Sequence, residues 1–306
     1  MSNSHFSRRA LGLAIALAAL SSAETAGAAT AAADASAASV YTYQTLDYPG
    51  AASTIFWGIS DFGELAGQYN MAGHAGHAMT YRSGHFQSLD PGGLFGDNFS
   101  AAGGPNDLGT LFGGYTDAAA RAHGFVIQFG HVQTVDFPGH INSNVDGVNV
   151  FGAMAGVYWD ADGIYHGIVR RDGHDTPFDV AGARDTYPLG MSADGAIVGF
   201  WDTVPGAAHG FYRSASGLIF SLDVPNAGPG GTTVFAINDV GQASGYYVDT
   251  SGLIHGFIQT RGQFQNLDVP GATATIATAM NNHGVVVGEY FDTAGKRHGF
   301  VATPAQ

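Results

Sequence analysis

Between residues 41 and 303, short stretches of strand-forming residues alternate with turns built from Gly, Asn, Asp and Ser, the pattern of many short β-strands. The alternation is itself periodic. A His-Gly-Phe-like triplet returns as His77-Ala78-Met79, His123-Gly124-Phe125, His166-Gly167-Ile168, His209-Gly210-Phe211, His255-Gly256-Phe257 and His298-Gly299-Phe300, at spacings of 46, 43, 43, 46 and 43 residues. A period of that length filling the chain means an array of similar supersecondary units.

Upstream of each histidine runs G-x-x-x-G-x-aromatic: Gly63 to Tyr69, Gly109 to Tyr115, Gly152 to Tyr158, Gly195 to Trp201, Gly241 to Tyr247 and Gly284 to Tyr290. Flanked by turns, this reads as a strand. It is entered through Asn/Ser/Asp/Gly turns, clearest at Ser60-Asp61-Phe62-Gly63, Asn106-Asp107-Leu108-Gly109, Asn238-Asp239-Val240-Gly241 and Asn281-Asn282-His283-Gly284. Two residues before each turn sits a small residue, Gly58, Gly104, Gly147, Gly190, Ala236 or Ala279, which predicts the crowded inner strand of a closed ring.

Downstream, the two-residue turns Ser83-Gly84, Phe129-Gly130, Asp172-Gly173 and Arg261-Gly262 lead back to an aspartate, one of Asp90, Asp136, Asp179, Asp223 and Asp268. Asp47 precedes the first full unit. Four of the five histidine-to-aspartate intervals are 13 residues, which around a two-residue loop puts the pair opposite each other on adjacent strands. The fifth, from His209 to Asp223, is 14 and calls for the three-residue loop Ala215-Ser216-Gly217.

Each unit therefore holds four strands, a to d, and the predicted fold is an all-β, six-bladed propeller of four-stranded antiparallel blades. Residues 41–47 form an orphan d strand, and residues 274–303 supply a, b and c without a d. The N-terminal strand is expected to complete the last blade, with Asp47 against His298, removing two open sheet edges. An open β-solenoid is the alternative, but its turns are shorter and need no split unit.

The unit, with F-x-x-L-D-x-P-G-A before the inner strand and Y-x-D-x-x-G-x-x-H-G-F after it, resembles the HAF family of extracellular bacterial repeats. The closest copies are Phe264 to Ala272 and Tyr290 to Phe300, and the similarity covers residues 41–303. The resemblance implies export and carries no assigned reaction.

The N-terminus points the same way. Arg8 and Arg9, an apolar run from Ala10 to Leu20 and the site Ala26-Gly27-Ala28 read as a signal peptide over residues 1–28, followed by a disordered Ala-rich leader at 29–39 and one repeat domain at 40–306. The apolar run is too short to span a bilayer. Ser7 to Leu13 resembles a twin-arginine signal but lacks its aromatic, so the general secretory route stays open. A secreted or periplasmic monomer is expected.

Eleven Lys and Arg stand against 25 Asp and Glu, a net charge of −14, which excludes nucleic acid and anionic lipid as partners. Cysteine is absent, so packing and hydrogen bonds alone must hold the fold.

The repeated pairs His77–Asp90, His123–Asp136, His166–Asp179, His209–Asp223, His255–Asp268 and His298–Asp47 are candidates either for a metal-binding ring or for structural cross-strand bonds. Six equivalent copies favour the structural role. Asp160-Ala161-Asp162-Gly163 opens like a calcium loop, but the carboxylate needed at position 12 is Arg171. No cofactor is expected. Candidate ligand-binding residues are those where the connections on the d-to-a and b-to-c face depart from the consensus: His74, Asp97, Asn98, His140, Asn142, Asn144, Asp146, Arg184, Asp185 and Tyr187. The sequence lacks a G-x-S-x-G elbow, and its mature glutamates are Glu64 and Glu289 alone, both placed in b strands. The leading expectation is a non-catalytic propeller binding an extracellular or periplasmic glycan or protein on that face. The competing one is a polysaccharide hydrolase or lyase using Asp97 with Asp146 or Asp185, and a ring serving only as a spacer is a third.

Overall fold

The structure is a computed structural model that describes residues 41–89, 99–137, 139 and 142–305. Asp90, Asp97, Asn98, His140 and the segments expected to be a signal peptide (1–28) and an Ala-rich leader (29–39) lie outside these residues. The chain opens with β1 (Tyr41–Thr45) and continues through β2 (Ser53–Ile59), β3 (Leu65–Asn70), β4 (Gly76–Arg82) and β5 (His85–Ser88). The same sequence of strands recurs as β6 (Ser100–Gly103), β7 (Leu111–Thr116), β8 (Ala122–Gln128), β9 (His131–Val135), then β10 (Asn142–Val148), β11 (Met154–Trp159), β12 (Tyr165–Arg171) and β13 (His174–Phe178). It continues with β14 (Asp185–Met191), β15 (Ile197–Asp202), β16 (His209–Arg213), β17 (Ile219–Ser221), then β18 (Thr232–Ile237), β19 (Gln242–Val248), β20 (Ile254–Thr260), β21 (Gln263–Asn266), and finally β22 (Ala274–Met280), β23 (Val286–Phe291) and β24 (Arg297–Pro304).

Consecutive strands pair antiparallel through hairpins. The turns after β4, β8, β12 and β20 have both central residues at positive φ, for example Ser83 at 50° and Gly84 at 85°, the backbone that matches the twist of a tight hairpin. Gly217 carries the positive φ of the three-residue loop, at 97°.

Four sheets stand separately, β2–β5, β6–β9, β10–β13 and β14–β17. The fifth is eight-stranded, in the order β1-β24-β23-β22-β20-β19-β18 with β21 on the outer side of β20. Its two antiparallel halves are joined by one parallel pair, Ile254 with Ala274. Strand β1 runs antiparallel to β24 in the register Tyr41–Pro304 to Thr45–Phe300. The last sheet in turn packs on the first, where Phe56, Leu65 and Met79 meet Ala279 and Val287 in one buried cluster. The architecture is an all-β propeller of four-stranded antiparallel blades. Among the described residues no helix is long and apolar enough to cross a membrane.

Close approach of the inner strands explains the small residue of each unit. A Cβ on Gly58 would lie 1.9 Å from the carbonyl oxygen of Gly104, so no side chain fits there. Beside that position β2, β10, β14, β18 and β22 each carry a register shift, as at Val145/Gly147. The extra residue of such a bulge is re-aimed relative to its neighbours. In β10 that residue is Asp146.

Candidate functional site

The hairpin register brings five of the repeat histidines to their aspartates, while the Asp90 expected against His77 lies outside the described residues. Nδ1 lies 2.9 Å from Asp136 Oδ1 in His123, 3.0 Å from Asp179 Oδ2 in His166, 3.2 Å from Asp223 Oδ2 in His209, 2.9 Å from Asp268 Oδ2 in His255 and 2.7 Å from Asp47 Oδ2 in His298. The other carboxylate oxygen accepts the next backbone N–H in three cases: Gly210 to Asp223 at 2.7 Å, Gly256 to Asp268 at 3.2 Å and Gly299 to Asp47 at 3.1 Å. One aspartate thus holds both the imidazole and the residue after it.

A second carboxylate faces the far side of the ring. Nε2 is 3.3 Å from Asp117 in His123, 3.5 Å from Asp249 in His255 and 3.4 Å from Asp292 in His298. These aspartates cap the b-to-c turns. Asp160 Oδ1 accepts the N–H groups of Asp162 and Ile164 at 2.9 and 3.0 Å, so the calcium-like run is a hairpin turn closed on its own carboxylate. The backbone N–H of Ile164 holds Asp160 below the usual carboxylate range, and that of Lys296 does the same for Asp292. The hydrogen bond that His255 donates to the Asp268 carboxylate raises its imidazole above the ordinary value.

The motif aromatic completes the arrangement by stacking on the imidazole, with ring centroids 5.2 Å apart for Tyr115–His123, 5.0 Å for Tyr158–His166, 4.7 Å for Trp201–His209, 5.3 Å for Tyr247–His255 and 5.1 Å for Tyr290–His298. In these five units strands b, c and d are tied through one ring. Among the described residues no three His, Asp or Glu side chains form a group able to hold a metal ion.

The fourth unit breaks this pattern. Asp202 stands one residue earlier in the repeat than the turn-capping Asp117, Asp160, Asp249 and Asp292, at the register of Trp159 and Phe291, and it is buried directly across from Asp185 on β14. Asp185 Oδ1 accepts the backbone N–H of Tyr165 at 2.9 Å, and its Oδ2 pairs with Nη1 of Arg184. Asp202 Oδ1 has no hydrogen-bond partner among the described residues, and burial together with the charge of Asp185 pushes its carboxyl up to about 6. Tyr187 stacks on Phe200 at 4.4 Å and meets Tyr165 at 4.8 Å, with Trp159 against Tyr165 at 5.2 Å. Burial raises the Tyr187 hydroxyl far above its usual range.

Of the residues predicted as ligand-binding loops, Arg184, Asp185 and Tyr187 come together here. Asp185 and Tyr187 belong to strand β14, not to a loop, because the inner strand begins earlier than its polar residues indicate. Asn142 opens β10, where its Oδ1 accepts the N–H of Ala122 at 3.1 Å, the same service Asp185 gives Tyr165. His74 is exposed on the turn between β3 and β4, in a different unit. Asp202 directly follows the motif aromatic Trp201, whereas the turn-capping aspartates stand two residues after theirs, so strand alternation gives its side chain the opposite face.

Asp146 is a second correction. It lies inside β10 and lines an axial cavity of about 150 Å³, on the side of the ring where strand a turns into strand b. The cavity-lining Trp57, Leu189 and Phe235 belong to one buried cluster with Trp159, Tyr165, Tyr187, Phe200 and Tyr246. The turn-side mouth is a circuit of hydrogen bonds between successive turns. Asp61 N–H donates to Asp107 Oδ1 at 2.8 Å, Asn106 Nδ2 to Asn149 O at 3.2 Å, Asn149 Nδ2 to Ala193 O at 3.1 Å and Ala193 N–H to Asp239 Oδ1 at 2.7 Å. Asp239 N–H donates to Asn282 Oδ1 at 2.8 Å, and Asn282 N–H returns to Asp61 Oδ1 at 2.8 Å.

No family model and no curated protein matches the chain. Among solved structures it is similar to a protein described as TolB from Agrobacterium tumefaciens, with a TM-score of 0.55 and 11% identity over 83% of this chain and 90% of that one. A mutant of AofleA from Arthrobotrys oligospora gives 0.53 and 14% over 85% and 86%. A mutant of the Aleuria aurantia lectin in complex with alpha-methyl-L-fucoside gives 0.51 and 10% over 86% and 91%. At these identities the likeness is one of fold.

Proposed function

We propose that this chain is an exported, six-bladed binding propeller that captures an extracellular or periplasmic glycan, without chemistry, on the face where strands d meet a and b meet c. Two observations support six blades. The halves of the eight-stranded sheet share one bridging pair, and the circuit of turns returns from Asn282 to Asp61. A blade completed by β1 then closes the ring.

The observation that carries the binding reading is the break in symmetry at the fourth blade. Elsewhere on this face the imidazoles and carboxylates are engaged with one another. At Arg184, Asp185 and Asp202, charged planar groups crowd beside the rings of Tyr165 and Tyr187, and Asp202 retains an unpartnered oxygen. Carboxylate and guanidinium groups suit sugar hydroxyls, here set against a floor of buried aromatic rings. A lectin among the solved structures of this fold is consistent with glycan as the ligand class.

A glycan array probed with the purified protein tests the reading. Binding is expected, and Asp202→Asn and Arg184→Ala are each expected to weaken it by about tenfold, a loss of ~1.4 kcal/mol. An empty array, or hits unaffected by both variants, would sink it. One observation favours a hydrolase instead: two adjacent carboxyls with Asp202 raised to about 6 are the pairing that acid–base chemistry uses. New reducing ends released from a bound polysaccharide, and lost in Asp202→Asn, would decide for that reading.

A further inference from the structure

The axial cavity has features that the opposite face does not explain. At the register of Asp146 the other units carry Trp57, Gly103, Leu189, Phe235 and Thr278, so a carboxylate enters the channel from one unit alone. Asp146 is 4% exposed, and its Oδ2 has no hydrogen-bond partner among the described residues, while Oδ1 is held by Asn144 Nδ2. Trp57 is 9% exposed, lines the same cavity, and its indole N–H is likewise unpartnered. Burial drives the Asp146 carboxyl well above the usual range, with only the Asn144 bond opposing it, so no neighbouring base compensates its charge.

A buried carboxyl whose ionised form lacks a counter-charge, and an unpartnered donor, in a chamber walled largely by apolar side chains, define what would satisfy both. The remaining walls include Leu189, Met191, Phe235 and Met280. Asp146 is the one carboxylate of the lining, and among the described residues no group of three His, Asp or Glu side chains is able to hold a metal ion. Aromatic and aliphatic walls around a single carboxylate are the surroundings of an organic cation, which gains from ring faces as well as from the counter-charge. The mouth, lined by Asp61, Asp107 and Asp239, attracts cations and repels anions. At about 30 Å³ per water in the liquid, the volume holds a molecule of a few heavy atoms.

We propose that this cavity is a binding site for a small organic ammonium ion carrying a hydroxyl, whose charge is met by Asp146 and whose oxygen accepts the N–H of Trp57, and which enters through the turn-lined mouth. The site is separate from the glycan face, and its test does not depend on that face.

Choline is the probe, and 3,3-dimethylbutan-1-ol, its uncharged carbon analogue, is the control. Isothermal titration of the purified protein is expected to show one choline site, with the alcohol binding at least about tenfold more weakly. Asp146→Asn keeps the shape and removes the charge, so it should weaken choline by about tenfold or more. Trp57→Phe should weaken choline several-fold and leave tetramethylammonium, which has no hydroxyl, unchanged. Equal binding of choline and the alcohol to the unmodified protein would overturn the proposal. So would silence with choline at about 10 mM, a concentration that detects any millimolar site, or undiminished binding by a folded Asp146→Asn.

Discussion

At the scale of single residues, His123, His166, His255 and His298 work as three-way clamps between strands, each with an aspartate on Nδ1, a turn-capping aspartate toward Nε2 and an aromatic ring against its face. His255 shows the pH consequence most directly. Its folded value lies above the ordinary 6.5, so its stabilising contribution is complete below that pH and is lost as the pH rises through the raised value. Asp202, raised to about 6 from 3.8, adds its own loss of stability over that interval, which a comparison of variants cancels. The melting temperature of the unmodified protein should therefore exceed that of His255→Asn by more at about pH 6 than at about pH 9. An equal gap at both pH values would show that the clamp is not ionic. The interval of 13 residues made these pairs legible in the sequence. Asp202 directly follows Trp201, one residue out of step with the turn-capping aspartates, so strand alternation turns it to the other face; what the interval could not reveal was that it meets Asp185 there.

At the scale of elements, the two glycines of G-x-x-x-G-x-aromatic have different reasons to be there. Gly63 takes φ of 77° in the turn and has open space around it. Gly67 lies in β3, where a Cβ would sit 2.0 Å from the carbonyl oxygen of Ile55 on the inner strand. Gly63→Ala should cost about 1 kcal/mol for the left-handed backbone alone. Gly67→Ala should cost about 3 kcal/mol, since strands cannot part without losing their ladder. Chemical denaturation of both variants checks the order, and equal losses would refute it. Strands and hairpin turns were readable because turn residues and strand formers alternate so regularly. The reading failed at Asp146, Asp185 and Tyr187, which looked like loop residues because polar side chains interrupt the apolar run. The bulge in β10 is what places Asp146 on the axis, and a bulge changes the register by one residue without changing the composition.

At the scale of the whole molecule, the account rests on a circle that a linear chain closes without a covalent link. The phase of the repeat made this visible, since an unpaired d strand stands ahead of the first unit and the last unit lacks one. The fusion of two blades into one sheet was not visible, because it depends on a single close approach of Ile254 to Ala274. Closure is also what fixes the central axis, and hence both the glycan face and the cavity. It can be measured directly because the chain contains no cysteine. Thr42 and Thr303 are exposed cross-strand partners on β1 and β24, and they enclose nearly the whole protein between them. In the double variant Thr42→Cys/Thr303→Cys, mild oxidation should give a monomer with faster mobility on a non-reducing gel and a higher melting temperature than its reduced form, by an amount reflecting about 4 kcal/mol or more for so long a loop. Thiols that stay free, or that react only between molecules, would contradict the closed ring.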